Sequence, residues 1–71
     1  MNMDLNWEDG FTIAVRAEKG RALISANREG LLSLARILLA LAEETPGSHV
    51  HLDASNSLEE GSAELIIERT A

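Results

Sequence analysis

The sequence predicts an α+β fold, a two-layer sandwich in which one helix packs on an antiparallel sheet of four to five strands, in the order β-β-β-α-β-β. Two observations predict it: the run from Arg28 to Glu44 carries apolar residues at helical spacing, and five shorter runs alternate apolar and polar residues as strands do. We expect a single domain over residues 1–71, close to the size at which burial is marginal for stability. The chain has no cysteine, so burial or oligomerisation must stabilise it.

Three strands are predicted before the helix, near residues 3–7, 11–17 and 21–26. Their connections, residues 8–10 and 18–20, are short and end in glycine, as antiparallel hairpins require. A two-residue Lys19-Gly20 loop keeps like faces together by setting Val15 opposite Ile24. A three-residue loop with Gly10 in the left-handed region sets Trp7 opposite Phe11. The sequence therefore predicts a three-stranded meander.

The helix is expected to begin after Asn27, a capping residue, and to end before Pro46. Gly30 in its first turn weakens the helix unless a neighbour approaches closely there. The apolar surface is wider than one sheet needs. We expect a central stripe to face the sheet, made of Leu31, Leu34, Ala35, Leu38, Leu41 and Ala42, and a strip that includes Ser33 to face water. The flanking Leu32, Ile37 and Leu39 are then candidates for self-association.

Two further strands are predicted after the helix. Val50 and Leu52 alternate with His49, His51 and Asp53, and Leu65 and Ile67 alternate with Glu64, Ile66 and Glu68. The polar link over residues 55–62 holds one apolar residue, Leu58, which is expected to pin it as a surface loop.

Two histidines and an aspartate on one strand face are plausible metal ligands, with Glu64 or Glu68 completing the site. The chain has no third histidine, and polar residues on the wet face of a strand explain the same pattern. A metal site at His49 and His51 is therefore an alternative, and no metal or other cofactor is predicted. No nucleophile elbow or phosphate loop is present, so the sequence predicts no enzyme.

Twelve acidic and six basic residues give a formal charge of −6, which disfavours nucleic acid and anionic lipid as partners. A basic protein would be attracted. The acidic residues gather in the last third of the chain, and the candidate partner-binding residues are Asp53, Glu59, Glu60, Glu64 and Glu68, with Ile66 as an exposed anchor. No apolar run approaches the roughly 18 residues of a membrane span, so a cytoplasmic location is expected.

Three segments carry a family resemblance: residues 27–35, the strand Gly47-Ser48-His49-Val50-His51-Leu52-Asp53, and residues 58–68, which end in Gly-Ser-Ala-Glu-Leu-Ile-Ile-Glu. They resemble the Imm32 family of bacterial immunity proteins, which are assigned to polymorphic toxin systems. The resemblance implies a non-enzymatic protein that binds and neutralises a cognate toxin, and it brings no catalytic residues. The alternatives left open are a self-associating subunit, a homodimer through the helix face, and a histidine-dependent metal-binding protein.

Overall fold

The computed structural model describes residues 6–71, which form four strands and one helix. They are β1 (Ile13–Glu18), β2 (Arg21–Ala26), α1 (Arg28–Ala42), β3 (His49–Leu52) and β4 (Leu65–Glu68). β1 pairs with β2 and β3 pairs with β4, both antiparallel, as two separate two-stranded sheets. The α+β class is confirmed, but the predicted order β-β-β-α-β-β and the single sheet of four to five strands are wrong.

The β1–β2 hairpin has the predicted register. Val15 lies opposite Ile24, and Glu18 lies opposite Arg21 across the two-residue loop. Lys19 and Gly20 both have positive φ, 49° and 76°, as the tight hairpin turn that matches strand twist requires.

The strand predicted near residues 3–7 falls mostly outside the residues that the structure describes. Residues 1–5 lie outside the described part of the chain, while Asn6 and Trp7 belong to no strand. Gly10 adopts the predicted left-handed conformation, with φ of 78°. On either side of this turn, Trp7 and Phe11 stack on each other instead of pairing across two strands. Their rings lie 4.7 Å apart and nearly parallel.

The second edge of β1 is occupied by the segment that precedes β4, which explains why no meander forms. The Glu59 N–H donates to the Ile13 carbonyl at 2.8 Å, and the Ala63 N–H donates to the Val15 carbonyl at 2.9 Å. Ser62 Oγ accepts from the Val15 N–H at 3.1 Å. Since a strand has two edges and β2 takes the other, an N-terminal strand has no edge of β1 left to join.

Asn27 caps α1 as predicted. Its Oδ1 accepts from the Gly30 N–H at 2.8 Å and from the Thr12 N–H at 3.0 Å, and its Nδ2 donates to the Gly10 carbonyl at 2.9 Å. The close approach expected at Gly30 is also present, because a Cβ built there would lie 2.2 Å from the Thr12 carbonyl oxygen. The start of α1 is therefore locked against the start of β1.

The buried face of α1 is rotated from the predicted one. Its buried positions are Gly30, Ser33, Leu34, Ile37 and Leu41. Four residues of the predicted stripe, Leu31, Ala35, Leu38 and Ala42, are exposed instead. The two small residues, Gly30 and Ser33, bring the helix close to its neighbours, so the packed face keeps Leu34 and Leu41 of the predicted stripe but is rotated toward Ser33, which sequence hydrophobicity assigns to water.

The core contains residues from both sheets, from α1 and from the loop before β4. Its buried cluster is Ile13, Val15, Leu34, Leu52 and Leu58. Leu58 is 5% exposed, so the prediction that it pins the loop is confirmed. Residues 6–71 include no helix with the length and apolar character that crossing a bilayer requires.

Candidate partner-binding surface

The solvent-facing side of the β3–β4 hairpin gathers several of the residues singled out in the sequence. Val50 and Leu52 are buried, whereas the alternate residues of β3 are exposed. In β4 the exposed residues are Ile66 and Glu68. We call the outer β3–β4 face the set His49, His51, Glu64, Ile66 and Glu68. The period of two in the sequence thus predicts this face correctly for His49, His51, Ile66 and Glu68. Asp53, predicted on the same face, binds the turn after β3 instead.

Cross-strand pairing fixes the neighbours on the outer β3–β4 face. Ile66 lies opposite His51, and Glu68 lies opposite His49. Ile66 is 53% exposed, which is high for an aliphatic side chain in a strand. It therefore presents an apolar surface between two imidazoles and two carboxylates.

The two histidines are held by local contacts. His51 Nδ1 lies 3.2 Å from Glu64 Oε2, and His49 Nδ1 lies 3.1 Å from the Gly47 carbonyl oxygen. The two imidazole rings meet edge to face with centroids 4.9 Å apart. The His51 and Glu64 side chains are each half exposed, so water screens their interaction and its contribution to stability is small.

Glu64, one of the two glutamates predicted to complete a metal site, lies within hydrogen-bond distance of His51. The Asp53 carboxylate, however, is turned to its own loop and binds Ser55. Within residues 6–71 no group of three or more His, Cys, Asp or Glu side chains is arranged to hold a metal ion.

Asp53 organises the turn that follows β3. Its Oδ1 accepts from the Ser55 N–H at 2.9 Å and from the Ser55 hydroxyl at 2.7 Å. Its carbonyl accepts from the N–H groups of Asn56, Ser57 and Leu58. The hydrogen bonds from Ser55 stabilise the ionised carboxylate and lower the pKa of Asp53.

Glu59 and Glu60 lie on the loop beside β1 rather than on the outer β3–β4 face. Both are exposed. The loop is fixed from both sides, by the buried Leu58 and by the hydrogen bond from Ser62 N–H to the Glu59 carbonyl at 3.1 Å. Glu60 also borders a shallow cavity of about 220 Å³ beside Arg16. The predicted acidic residues therefore form two groups, joined along the chain by residues 61–63.

The three residues predicted for self-association are placed very differently. Leu39 is 71% exposed, Leu32 is half-buried, and Ile37 is 2% exposed inside the core. Ile37 thus has no side-chain surface to offer a second molecule. Self-association through α1 stays a prediction, and it now depends on Leu39 and the exposed part of Leu32.

The β1–β2 hairpin carries a basic cluster that was not predicted from the sequence. Arg16, Lys19 and Arg21 border a cavity of about 280 Å³, together with Glu18 and Leu23. Strand alternation places Arg16, Glu18 and Arg21 on one face, a signal that was available in the sequence. Positive charge is thus concentrated on one hairpin, while the outer β3–β4 face carries carboxylates.

Comparison with known protein families gives a match. The family model Imm32, described as Immunity protein 32, matches residues 22–70, which is well over half of the chain and runs from β2 through β4. No curated protein and no solved structure matches the chain significantly. The matched segment contains all of the outer β3–β4 face and the acidic loop that joins β3 to β4.

Proposed function

Because the chain belongs to the Imm32 family of immunity proteins, we propose that it binds and neutralises a cognate bacterial toxin in the cytoplasm, by occluding the toxin rather than by catalysis. Membership of an immunity protein family implies a protein partner in general. The proposal adds the surface, the charge of the partner and the absence of a catalytic step.

The observation that carries the choice of surface is the exposure of Ile66. Interfaces commonly place an apolar anchor at the centre and polar groups around it, because the surrounding groups exclude water from the anchor. Ile66 lies opposite His51 on the outer β3–β4 face, with Glu64 and Glu68 on the same face. This arrangement supports the outer β3–β4 face as the centre of the toxin contact.

Charge supports a basic toxin. The chain carries −6, and Asp53, Glu59, Glu60, Glu64 and Glu68 lie on or beside the proposed surface. Opposite charges steer two proteins together and raise the association rate, an effect that salt screens over about 8 Å at physiological ionic strength. We therefore expect binding that is fast at low salt and slows as salt is added.

The loop that carries Glu59 and Glu60 supplies the outer part of the proposed contact. Its backbone is bonded to β1 and its Leu58 is buried, so little conformational entropy is lost when a partner binds. Asp53 has a different role in this proposal, since its carboxylate holds the turn that positions the loop. It acts on the toxin contact through that turn.

The test uses the purified product of the reading frame next to the gene for this protein as the candidate toxin, with binding kinetics measured at several salt concentrations. The triple change Glu59→Gln, Glu60→Gln, Glu64→Gln should lower the association rate at low salt by about tenfold or more and flatten its salt dependence. The matched control changes Glu18, Glu43 and Glu44 to Gln, which alters net charge equally at other places. An equal effect of both triples would show that only net charge matters and would reject the proposed surface.

The anchor is tested separately. Ile66→Ala should raise Kd by about fivefold or more, mainly through faster dissociation, because truncating a central interface residue costs at least about 1 kcal/mol. Leu39→Ala, at a more exposed leucine of α1, should leave Kd unchanged. Unchanged binding with Ile66→Ala would remove the outer β3–β4 face from the toxin contact.

A further inference from the structure

Within residues 6–71, β2 has one edge with no partner. It pairs with β1 along the other edge, and none of the hydrogen bonds among residues 6–71 joins this free edge. Leu23 and Ile24 are 55% and 44% exposed. Proteins commonly protect such an edge with lysine, proline or a bulge, and the continuous six-residue register of β2 contains none of these. The edge is therefore open to another strand.

Hairpin geometry identifies the backbone groups that point outward. Across a two-residue loop the flanking residues form a hydrogen-bonded pair, and hydrogen-bonded pairs then alternate with non-bonded ones. The bond from the Asn27 N–H to the Thr12 carbonyl, at 3.2 Å, fits this alternation. The N–H and C=O groups that face the free edge are consequently those of Ala22, Ile24 and Ala26.

We propose that the free edge of β2 pairs antiparallel with β2 of a second copy of this chain, about a two-fold axis at Ile24. In this register Ile24 meets Ile24 of the second copy, and Ala22 meets Ala26 in both directions. All three outward residues then form hydrogen-bonded pairs, with about six bonds in total. A register shifted by two residues, centred on Leu23, would leave the outward groups of Ala26 without partners.

Side chains and charge favour a second copy in this position. Residues that meet across an antiparallel pair lie on the same face, so the exposed Ile24 is covered by its own equivalent and apolar area is buried. Arg21 is the one charged residue of β2, and the register places it opposite Asn27 rather than opposite another arginine. Two chains of charge −6 thus meet along a segment that contains no carboxylate.

The hydrogen-bond pattern provides a direct test by amide hydrogen exchange of the wild-type protein. The Leu23 and Ser25 amides bond to β1 and should be protected at every protein concentration. The Ile24 and Ala26 amides should exchange fast when dilute and become protected as concentration rises. Fast exchange of Ile24 and Ala26 at every concentration would overturn the proposal.

Sedimentation of variants gives a second, independent test. Ala22→Pro removes an outward N–H and leaves the bonds to β1 intact, and Ile24→Lys places a charge on the two-fold axis. Each should weaken dimerisation by about tenfold or more, since an unpaired buried group or charge costs at least about 1.4 kcal/mol. Circular dichroism checks their folding, and Ile24→Lys keeps the test decisive if the proline variant unfolds.

The matched control is Leu39→Lys, which adds the same charge at an exposed leucine of α1 and should leave the dimer intact. A wild-type monomer at high micromolar concentration would overturn the proposal. So would a dimer that withstands Ala22→Pro and Ile24→Lys but is lost with Leu39→Lys, because that result would assign the interface to α1.

Discussion

The backbone N–H of Glu8 donates a hydrogen bond to Ser33 Oγ at 2.9 Å, although 25 residues of chain separate them. The same hydroxyl donates to the Glu29 carbonyl at 2.8 Å. Ser33 is fully buried, and Arg36, one turn further along α1, forms an ion pair with the Glu8 carboxylate. These contacts hold the chain at Glu8 against α1.

Ser33→Ala should therefore destabilise the protein by about 1–2 kcal/mol, because it leaves the partly buried Glu8 N–H without its acceptor. Alanine favours the helix slightly more than serine, so a purely local effect would have the opposite sign. Urea unfolding measures the difference. Ser25→Ala, at an exposed serine of β2, is the control and should change stability by less than about 0.5 kcal/mol.

Ser33 also shows why the orientation of α1 could not be predicted from hydrophobicity. The sequence places serine among charged residues, and counting apolar side chains assigns its face to water. The structure buries it because a small hydroxyl can satisfy a distant backbone N–H, a partner that no pattern within the helix reveals. Leu31 and Leu38 are exposed for the same reason, since the close approach at Gly30 and Ser33 fixes the rotation of the helix.

Gly30→Ala should destabilise the protein although alanine is the better helix former. The new Cβ would lie 2.2 Å from the Thr12 carbonyl oxygen and 3.0 Å from Ala26 Cβ, so α1 must move away from β1. Overpacking of this kind costs about 1–3 kcal/mol, more than the helix propensity of about 1 kcal/mol that alanine restores. Thermal unfolding measures the sum, and a raised Tm would contradict the close approach.

Asn27 supports two predictions, because its two side-chain atoms have separate partners. Asn27→Ala removes the cap and should cost about 1–2 kcal/mol. Asn27→Asp keeps an acceptor for the Gly30 and Thr12 N–H groups but loses the donor to the Gly10 carbonyl. The aspartate variant should therefore have a stability between those of the wild type and the alanine variant in denaturant unfolding. If both variants lost the same free energy of unfolding, the hydrogen bond to the Gly10 carbonyl would carry most of the effect.

Local signals predicted the parts of the fold that local chemistry determines. The Lys19-Gly20 turn fixed the β1–β2 register, and alternation in β3 correctly identified His49 and His51 as outward-facing. The occupied edge of β1 depends on pairing with Glu59 and Ala63, more than 40 residues away. Nothing near β1 in the sequence encodes that pairing, so the strand predicted near residues 3–7 was assigned to an edge of β1 that is already occupied.

The same limit applies to the candidate surface. The period of two brings Glu64, Ile66 and Glu68 to one face, and this much followed from the sequence. That Asp53 would bind Ser55 instead of facing a partner depends on the turn geometry after β3. Loop conformation of this kind is set by several hydrogen bonds formed together, and a residue count does not reveal it.

Asp53 makes the turn after β3 sensitive to acid. Its pKa is lowered by the hydrogen bonds from Ser55, so the folded state binds the proton more weakly than the unfolded state does. The stabilisation is therefore fully present above the unfolded pKa of about 3.9 and is lost as pH falls through the lower folded value.

Ser55→Ala, which keeps the backbone bond and removes the hydroxyl, should raise the Asp53 pKa toward its ordinary value. Titration of the Asp53 carboxyl carbon by NMR, compared between the wild type and the Ser55→Ala variant, measures this directly. An Asp53 pKa unchanged by Ser55→Ala would show that the hydroxyl does not stabilise the carboxylate, and would leave the turn to the backbone bonds alone.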